Sequence, residues 1–314
     1  NISEYESQQR LHLDEVPRFG GIIIYLFFFV VLIFKFDNEL LRLLSLSFLP
    51  MAILTIKEDM HYETSPLIRI FFMVFSCLIF TLLMPGNFPT IDIPVVGKWL
   101  EVTPIQISFY VFSMMVIMNG NNLIDGVNGS MTITNIAQLI VLCLLSTIIG
   151  DSEFLQLCIF LILPLIVFLP FNFPFGKIFI GDTGAYLYGF LIGGLAIYFF
   201  GKHDEFLSWI AVFILLYPSI ELLFSFIRKK FFENKNPMSA DARHLHTLIY
   251  MYLNTNRHFT NNSFVVIYLL PFILSSFFSF LFIDSFFLLV MAMVSIVAIY
   301  ILMYFYFLRL LQKK

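Results

Sequence analysis

Amide and carboxylate side chains recur at a regular spacing in one short segment of this 314-residue chain. Four of them follow one another at intervals of three residues: Asn119, Asn122, Asp125 and Asn128. A helix would present such a set as a polar stripe that drifts slowly around its surface, and Gly126 and Gly129 would let the backbone turn or approach a ligand closely. Carboxylate and amide oxygens suit a hard cation and phosphate groups rather than a soft metal. The segment therefore predicts a polar site, with a capped turn between two helices as the alternative.

Two further segments carry carboxylates near predicted helix ends. Glu58 and Asp59 are adjacent, and such a pair repels unless a cation or a proton lies between the two groups. Asp182 follows Gly181 at the start of an apolar run, with Asn172 and Lys177 shortly before it. Each segment has a simpler alternative, a solvated loop end for the acidic pair and a helix N-cap for Asp182.

Basic and imidazole groups collect in a fourth segment, Asp241-Ala-Arg243-His244-Leu-His246. The two imidazoles are two residues apart, a spacing that suits a loop better than one face of a helix. Two imidazoles and a guanidinium suit phosphate groups. Zinc is the alternative ligand, but the segment offers neither a Cys nor a third His.

The composition defines the elements that must position these groups. Hydrophobic residues make up 60% of the chain, charged residues only 12%, and Phe alone contributes 41 residues. Soluble domains are about 45–50% apolar and about 25% charged. The composition excludes a soluble enzyme, a disordered chain, a disulfide scaffold and a nucleic-acid binder, and it predicts an all-α, polytopic membrane protein with a single domain over residues 1–314. Because the chain begins with Asn1 in a polar stretch, we expect the native N-terminus, with one further span, to be missing.

About ten apolar segments are long enough to cross a bilayer as helices. They are about 20–36, 40–56, 67–84, 104–119, 130–149, 153–170, 184–200, 206–227, 263–283 and 285–308. If residues 1–19 are cytoplasmic and each span crosses once, all Lys and Arg residues except four lie on the cytoplasmic side, the exceptions being Lys35, Arg42, Lys98 and Lys202. This bias follows the positive-inside rule. It places all four polar segments in loops on the cytoplasmic side.

The four segments, in this order and on this side, resemble those of the polyprenyl-phosphate N-acetylhexosamine-1-phosphate transferase family, of the glycosyltransferase family 4 type. Val16-Pro17-Arg18-Phe19-Gly20-Gly21 also resembles the family's PRxGG segment before a span. The resemblance implies ten or eleven membrane helices in the bacterial inner membrane and an active site facing the cytoplasm. It also implies a Mg²⁺-dependent transfer of an N-acetylhexosamine-1-phosphate from a UDP-sugar to a polyprenyl (undecaprenyl) phosphate. UMP is released, and the product starts a cell-surface polysaccharide such as O-antigen.

The resemblance carries over to single positions. Asp59 matches the second acid of the family's paired-acid motif, and Glu58 stands where many members have Asp. Asp125 closes an NxxNxxDG motif that begins at Asn119 and includes Asn122, while Asn128 replaces a second Asp. Such departures resemble a subset of enzymes for surface polysaccharide and argue against the peptidoglycan branch.

Roles for these residues follow as hypotheses. Asp182 matches the family's expected Mg²⁺ ligand, with Asp125 as a second ligand and as a catalytic group; Mn²⁺ is an alternative ion. Glu58 and Asp59 are expected to be catalytic groups. Asp59 should position the polyprenyl phosphate first and act as a base second, because the second pKa of a phosphate is about 6. The remaining residues are expected to bind substrate: Asn119, Asn122, Asn128, Asn172, Lys177, Arg243, His244 and His246.

Two other functions are weighed against this one. A transporter should carry its essential ionisable groups at mid-membrane depth, and here the acid within a span is chiefly Glu221, near one end of its span. A CDP-alcohol phosphotransferase would need a DGxxAR-type motif, whereas Asp125-Gly126 continues as Val-Asn-Gly. The expected partners are the UDP-N-acetylhexosamine, the polyprenyl phosphate and the bilayer, without nucleic acid; a homodimer is left open.

Overall fold

The computed structural model describes residues 16–33, 38–60, 62, 64–91, 94–237, 243–257, 265–281, 283 and 285–312. All regular secondary structure in these ranges is helical, as the composition predicts. Asp241, part of the predicted basic segment, lies outside the described residues.

Thirteen helices follow one another in the described ranges. They are α1 Gly20–Ile33, α2 Glu39–Asp59, α3 Pro66–Leu83, α4 Pro94–Leu100, α5 Thr103–Ile124, α6 Ser130–Ile149, α7 Ser152–Asn172, α8 Gly181–Lys202, α9 Trp209–Ile214, α10 Leu216–Ile227, α11 Leu245–Arg257, α12 Val265–Leu281 and α13 Phe286–Gln312. One π-helical turn, Arg228–Phe232, continues α10.

Among the described residues, 7 helices are long and apolar enough to cross a membrane: α2, α3, α5, α6, α7, α8 and α13. The other three predicted spans are helical but shorter. Helix α1 has 14 residues and α12 has 17, and the span predicted at 206–227 is divided between α9 and α10. About ten crossings therefore stays a prediction, while a multi-pass membrane protein is confirmed.

The division of the 206–227 span has a local cause. Pro218 has no backbone N–H, so the carbonyl of Ile214, four residues earlier, loses its helical partner. The side-chain Nε2 of Gln138, on α6, donates a hydrogen bond to this carbonyl at 3.0 Å. A buried amide on a neighbouring helix thus replaces the missing bond, as membrane bundles require.

Helix α8 is the centre of the bundle. Nearly all of its side chains are buried, because α1, α2, α5 and α6 pack around it. Gly189 makes the closest approach to α5 possible, since a Cβ atom there would lie 2.7 Å from Cα of Met118. Small residues at such crossings are the usual means of close packing between membrane helices. The start of α8 is therefore surrounded by the ends of its neighbours.

The predicted loop boundaries at this end of the bundle were wrong. Segments expected as loops at 57–66, 120–129 and 171–183 are partly helical, because α2 continues to Asp59, α5 to Ile124 and α7 to Asn172. Polar residues terminate a span in the sequence pattern but need not terminate the helix. Inside a bundle they form hydrogen bonds with neighbouring helices, so the last helical turn is retained.

Candidate active site

The carboxylate of Asp59 caps the first turn of α8. Its Oδ1 accepts a hydrogen bond from the backbone N–H of Asp182 at 2.7 Å, and Oδ2 accepts one from Thr183 at 2.9 Å. The first N–H groups of a helix have no partner within the helix and lie at its positive end. Asp59 is only 2% exposed, so these contacts compensate its burial.

Gly181 makes this cap geometrically possible. Its backbone has φ +73°, and a Cβ atom there would lie 2.5 Å from Oδ1 of Asp59. Only glycine adopts this left-handed conformation without strain and also leaves room for the carboxylate. The Gly-Asp sequence is therefore needed for the shape of the site as well as for its charge.

Asn122 orients the second carboxylate. Its Nδ2 donates a hydrogen bond to Oδ1 of Asp182 at 2.8 Å, joining the last turn of α5 to the first turn of α8. Asn121 makes a parallel link, because its Nδ2 donates to the carbonyl of Ala185 at 2.9 Å. Sequence reasoning missed Asn121, which does not share the three-residue spacing of its neighbours.

Asp125 follows directly after α5 and completes an acidic cluster with Asp59 and Asp182. Burial raises the pKa of the Asp125 carboxyl well above its ordinary value, and the negative charges of Asp182 and Asp59 raise it further. Arg18, just before α1, opposes part of this effect. Three carboxylates from three separate segments therefore share one electrostatic environment, named the acidic cluster below.

The acidic cluster is suited to a divalent cation that a substrate helps to bind. Within the described residues, no group of three or more His, Cys, Asp or Glu side chains forms a ready-made metal site. Mg²⁺ needs fewer protein ligands, since it commonly binds one or two carboxylates together with water and substrate phosphates. The repulsion that raises the pKa of Asp125 would be relieved by such an ion, so the residues present fit Mg²⁺.

Glu58 and Asp59 have no hydrogen-bond partner in common among those described. Its Oε1 accepts hydrogen bonds from Nη2 and Nε of Arg69, at 2.7 Å and 3.1 Å, and from the hydroxyl of Thr64. The two adjacent carboxylates therefore have different partners, α3 for Glu58 and α8 for Asp59. This arrangement gives Glu58 a contact with α3 that Asp59 does not share.

Arg69 is a site residue that sequence reasoning treated only as a positive-inside anchor. Besides binding Glu58, it lies within electrostatic range of Asp182. It is the sole charged residue of Pro66–Leu83. A charge within an apolar span is a recognised sign of a functional or paired position, and that sign was available in the sequence.

The amide of Asn172 holds two loops together. Its Oδ1 accepts a hydrogen bond from the backbone of Gly129 at 2.6 Å, and its Nδ2 donates one to the carbonyl of Ile178 at 3.1 Å. Asn128 is also buried. Both ends of the Asn172 amide thus bind backbone, which supports a positioning role rather than direct contact with substrate.

Two other predicted substrate ligands lie at the edge of this arrangement. The Nδ2 of Asn119 donates to the carbonyl of Met115 in its own helix at 2.8 Å. Lys177 is exposed, and its Nζ lies 5.4 Å from the ring centroid of Phe175. Asn119 shares a face with Asn122, one turn away, whereas Lys177 belongs to the loop before α8.

The basic segment packs on the turn that carries Asp125. A Cβ atom at Gly126 would overlap Nε2 of His246, so the imidazole lies directly against this glycine. Burial lowers the pKa of His246 to about 4, which leaves the ring neutral at physiological pH. His246 therefore packs as an uncharged ring. It adds no positive charge to the phosphate site that was expected from Arg243, His244 and His246.

Arg243 and His244 are held by acidic residues. Nη1 of Arg243 lies 3.2 Å from Oε1 of Glu233, and Nδ1 of His244 lies 2.9 Å from Oε1 of Glu221. Sequence reasoning weighed Glu221 against a transporter and expected a buried, hydrogen-bonded acid, which its burial and its contact with His244 confirm. The structure brings it to the same end of the bundle as the acidic cluster.

The fold and the site together define a multi-pass membrane protein with an acidic centre at one end of its helices. The sequence profile of glycosyl transferase family 4 matches residues 41–200, about half of the chain. This chain belongs to glycosyl transferase family 4. The match includes the acidic cluster but neither Val16–Gly21 nor the segment from Arg243 to His246.

Individual relatives agree with the family assignment. The undecaprenyl-phosphate alpha-N-acetylglucosaminyl 1-phosphate transferase of Thermotoga maritima is 27% identical over 238 residues, which cover 76% of this chain and 69% of the relative. A Bacillus subtilis protein named "probable undecaprenyl-phosphate N-acetylglucosaminyl 1-phosphate transferase" is 25% identical over 273 residues, covering 86% and 74%. A phospho-N-acetylmuramoyl-pentapeptide-transferase of Staphylococcus aureus is 30% identical over 112 residues, 35% of each chain.

Proposed function

We propose that this protein transfers an N-acetylhexosamine-1-phosphate from a UDP-sugar to a polyprenyl phosphate and releases UMP. The observation that carries the proposal is the acidic cluster at the start of α8, where Asp59 caps the turn of Asp182 and both carboxylates lie within electrostatic range of Asp125. The family assignment and the names of the relatives support the reaction class. Because two of these names specify N-acetylglucosamine, UDP-N-acetylglucosamine is the first donor to test.

The reaction exchanges one phosphoanhydride bond for another. An oxygen of the polyprenyl phosphate attacks the phosphorus that carries the sugar and forms a new P–O bond. The bond from that phosphorus to the bridging oxygen breaks, and the electron pair leaves with UMP. Phosphoryl transfer of this kind depends mainly on alignment and on neutralising charge. The oriented carboxylates would hold a divalent cation, and the cation and a guanidinium would neutralise phosphate charge.

Asp182, together with Asp125, would hold the divalent cation, Mg²⁺ or Mn²⁺. When bound, the ion neutralises negative charge on the pyrophosphate of the donor. Asn122 fixes the orientation of Asp182 through its 2.8 Å hydrogen bond. Two guanidinium groups lie within electrostatic range of this centre, Arg18 near Asp125 and Arg69 near Asp182. Arg69 also has a carboxylate partner, Glu58.

The role proposed for Asp59 is positioning. Both of its oxygens accept hydrogen bonds from α8 backbone, which fixes the carboxylate against the start of that helix. A polyprenyl phosphate with a second pKa of about 6 is largely deprotonated at neutral pH and needs little help from a base. Asp59 therefore holds the Gly181–Thr183 turn that presents Asp182.

The acceptor's tail is proposed to lie in an apolar cavity between α1 and α7. The cavity has a volume of about 390 Å³, with Ile23 and Phe27 on one side, Leu163 and Val167 on the other, and Gly20 at one end. Gly20 and the following Gly21 donate backbone hydrogen bonds to the loop that leads into α8. The cavity therefore begins beside the segment that forms the acidic cluster.

A bulky side chain tests this placement of the tail. Leu163→Trp should raise the KM for undecaprenyl phosphate while the KM for the UDP-sugar stays constant. Ile159→Trp is the matched control, because Ile159 is an exposed residue of α7 that does not line the cavity. An equal effect of both variants would exclude this cavity.

In this proposal the acidic cluster faces the cytoplasm of a bacterial cell. The positive-inside bias of Lys and Arg supports that orientation, and a UDP-sugar donor requires it. The product would be the lipid-linked first unit of a surface polysaccharide. The UDP-sugar, the polyprenyl phosphate and the bilayer are the proposed partners.

The deciding experiment measures UMP release by the purified protein in detergent. The assay supplies undecaprenyl phosphate, Mg²⁺ and each of several UDP-N-acetylhexosamines, and it omits one component at a time. Release that requires the lipid, the divalent cation and one particular sugar would establish the reaction. Absence of release across the panel from folded protein that also fails to bind UDP would reject it.

A further inference from the structure

Glu221 is a buried acid that the reaction above does not use. It lies on α10 and is 1% exposed. A buried carboxylate is costly unless hydrogen bonds satisfy its oxygens. Here Oε1 lies 2.9 Å from Nδ1 of His244, and Oε2 accepts a hydrogen bond from the hydroxyl of Tyr300 at 2.9 Å. Each oxygen of the carboxylate has a definite partner on a different segment.

The contact with Glu221 fixes which nitrogen of His244 carries a proton. A carboxylate can only accept, so Nδ1 of His244 must be the donor. Any contact between this imidazole and a substrate would therefore be made through Nε2. Hydrogen bonds of this kind set both the tautomer and the orientation of a histidine ring.

His244 in turn is connected to the turn that carries Asp125. The rings of His244 and His246 are parallel, with centroids 5.6 Å apart and an interplanar angle of 4°. His246 lies against Gly126, the neighbour of Asp125 in the sequence. A chain of contacts thus leads from Glu221 through two stacked rings to the acidic cluster.

We propose that Glu221 is a positioning residue for the transferase reaction, which orients His244 and, through the stacked His246, keeps the basic segment against the Asp125–Gly126 turn. The inference rests on the proposed function. It explains why an acid is retained inside an apolar helix, and it identifies Tyr300, on α13, as the group that holds the second oxygen of Glu221.

The test compares the KM for the UDP-sugar among variants of this network. Glu221→Ala should raise this KM about tenfold or more, while the KM for undecaprenyl phosphate changes less than about twofold. Glu221→Gln should recover most of the loss, because its Oε1 can still accept from Nδ1. Loss of folded protein lowers the apparent kcat but leaves KM unchanged, so KM separates positioning from general destabilisation.

A matched pair of Tyr→Phe variants provides the control. Tyr300→Phe removes the hydroxyl that holds Glu221, whereas Tyr217→Phe removes a buried hydroxyl in the same region that donates to Tyr268. Tyr300→Phe should raise the KM for the UDP-sugar several-fold, and Tyr217→Phe should not. Equal effects of the two, or an unchanged KM in Glu221→Ala, would overturn the proposal.

Hydrogen exchange gives a readout that needs no substrate. In Glu221→Ala, amide exchange at the Asp125–Gly129 turn should accelerate at least several-fold relative to wild type, and Tyr217→Phe should leave it unchanged. If the wild-type protein releases no UMP but this acceleration occurs, the proposed function fails and the positioning contact stands. If wild type is active and the turn is unaffected in Glu221→Ala, the positioning inference fails alone.

Discussion

The two ends of α8 place acidic side chains in opposite electrostatic environments. At its start, Asp125 lies near Asp182 and Asp59, and its pKa is raised. At its end, Asp151 lies 2.8 Å from Nζ of Lys202 and 3.0 Å from Nε2 of His203. The backbone of Phe154 also donates to Asp151 at 3.1 Å, so this carboxylate caps α7.

The pKa of Asp151 shifts in the other direction. Burial alone would raise it, but hydrogen bonds from Lys202, from the Phe154 backbone and from His203 outweigh burial and lower it. One end of the bundle therefore has carboxylates whose mutual repulsion is left for a cation or substrate to relieve, and the other has a carboxylate whose charge is already balanced. Residual repulsion of this kind is typical of functional sites, and a closed ion pair is typical of structural ones.

The largest expected effect is on activity. Asp182→Asn should reduce UMP release by roughly 10²–10³-fold, the cost of losing a group that stabilises developing charge. Asp151→Asn, the same chemical change at the other end of α8, should leave the rate within about twofold of wild type. Initial rates at saturating substrates measure both, and a comparable loss in the two variants would contradict the distinction between the ends.

The gain in stability from a divalent cation should depend on the acidic cluster and not on Asp151. With UDP present, Mg²⁺ at about 100 times its dissociation constant should add about 2.7 kcal/mol to the stability of wild type. Asp182→Asn should lose most of this gain, and Asp151→Asn should retain it. Thermal unfolding in detergent with and without Mg²⁺ measures the difference; an equal gain in Asp182→Asn would remove Asp182 from the metal site.

Two glycines with the same backbone conformation, one at each end of the bundle, differ in the space around them. Gly181 has φ +73° and lies against Asp59, while Gly150, at the end of α6, has φ +74° and no neighbour within 4 Å of an added Cβ. Gly150→Ala should cost about 1–2 kcal/mol, the usual penalty of a left-handed conformation. Gly181→Ala should cost more and should also reduce activity. Equal shifts in melting temperature would show that Asp59 can move away from an added methyl group at Gly181 without further loss of stability.

The smallest effects concern the pH dependence of stability. Because the folded-state pKa of Asp125 is raised, its ionisation destabilises the fold as pH rises from about 4. Asp125→Asn should therefore raise the melting temperature in metal-free buffer, by an amount that grows with pH until the raised pKa is passed. Asp182, Asp59 and Arg18 are the charged groups that face it.

Asp151→Asn should show the opposite trend. A lowered folded-state pKa contributes stability above the ordinary carboxyl pKa and loses it as pH falls through the folded value. The variant should therefore melt below wild type at neutral pH and approach it in acid. Melting curves from pH 3 to 8 test both variants, and slopes of the same sign would refute the assigned electrostatics.

Much of the site was predictable because its chemistry depends on residue type. Asp125 and Asp182 were paired as ion ligands from their residue types together with the family resemblance, and the structure places them in one electrostatic environment. Asn121 and Arg69 were missed for different reasons. Asn121 lies off the regular spacing, and Arg69 could be explained by membrane orientation without any partner.

The role of each site residue was harder to predict than its presence in the site. Glu58 and Asp59 are neighbours in the chain, yet one binds Arg69 on α3 and the other caps α8. His246 was expected to bind phosphate, and no local pattern showed that burial beside Gly126 would lower its pKa to about 4. The partners of a side chain and its burial depend on which helix ends are neighbours in the folded protein. No local sequence pattern contains that information.

The sequence by itself determined the all-helical membrane class, the family resemblance and the chemical types gathered in the site, because hydropathy and side-chain chemistry are properties of single residues and short segments. Only the tertiary structure decided that Asp59 caps α8, that Asn172 joins two loops and that Glu221 holds His244. Each of these contacts joins residues that are distant in the chain, and their formation depends on how the neighbouring helices pack around the glycine-rich α8.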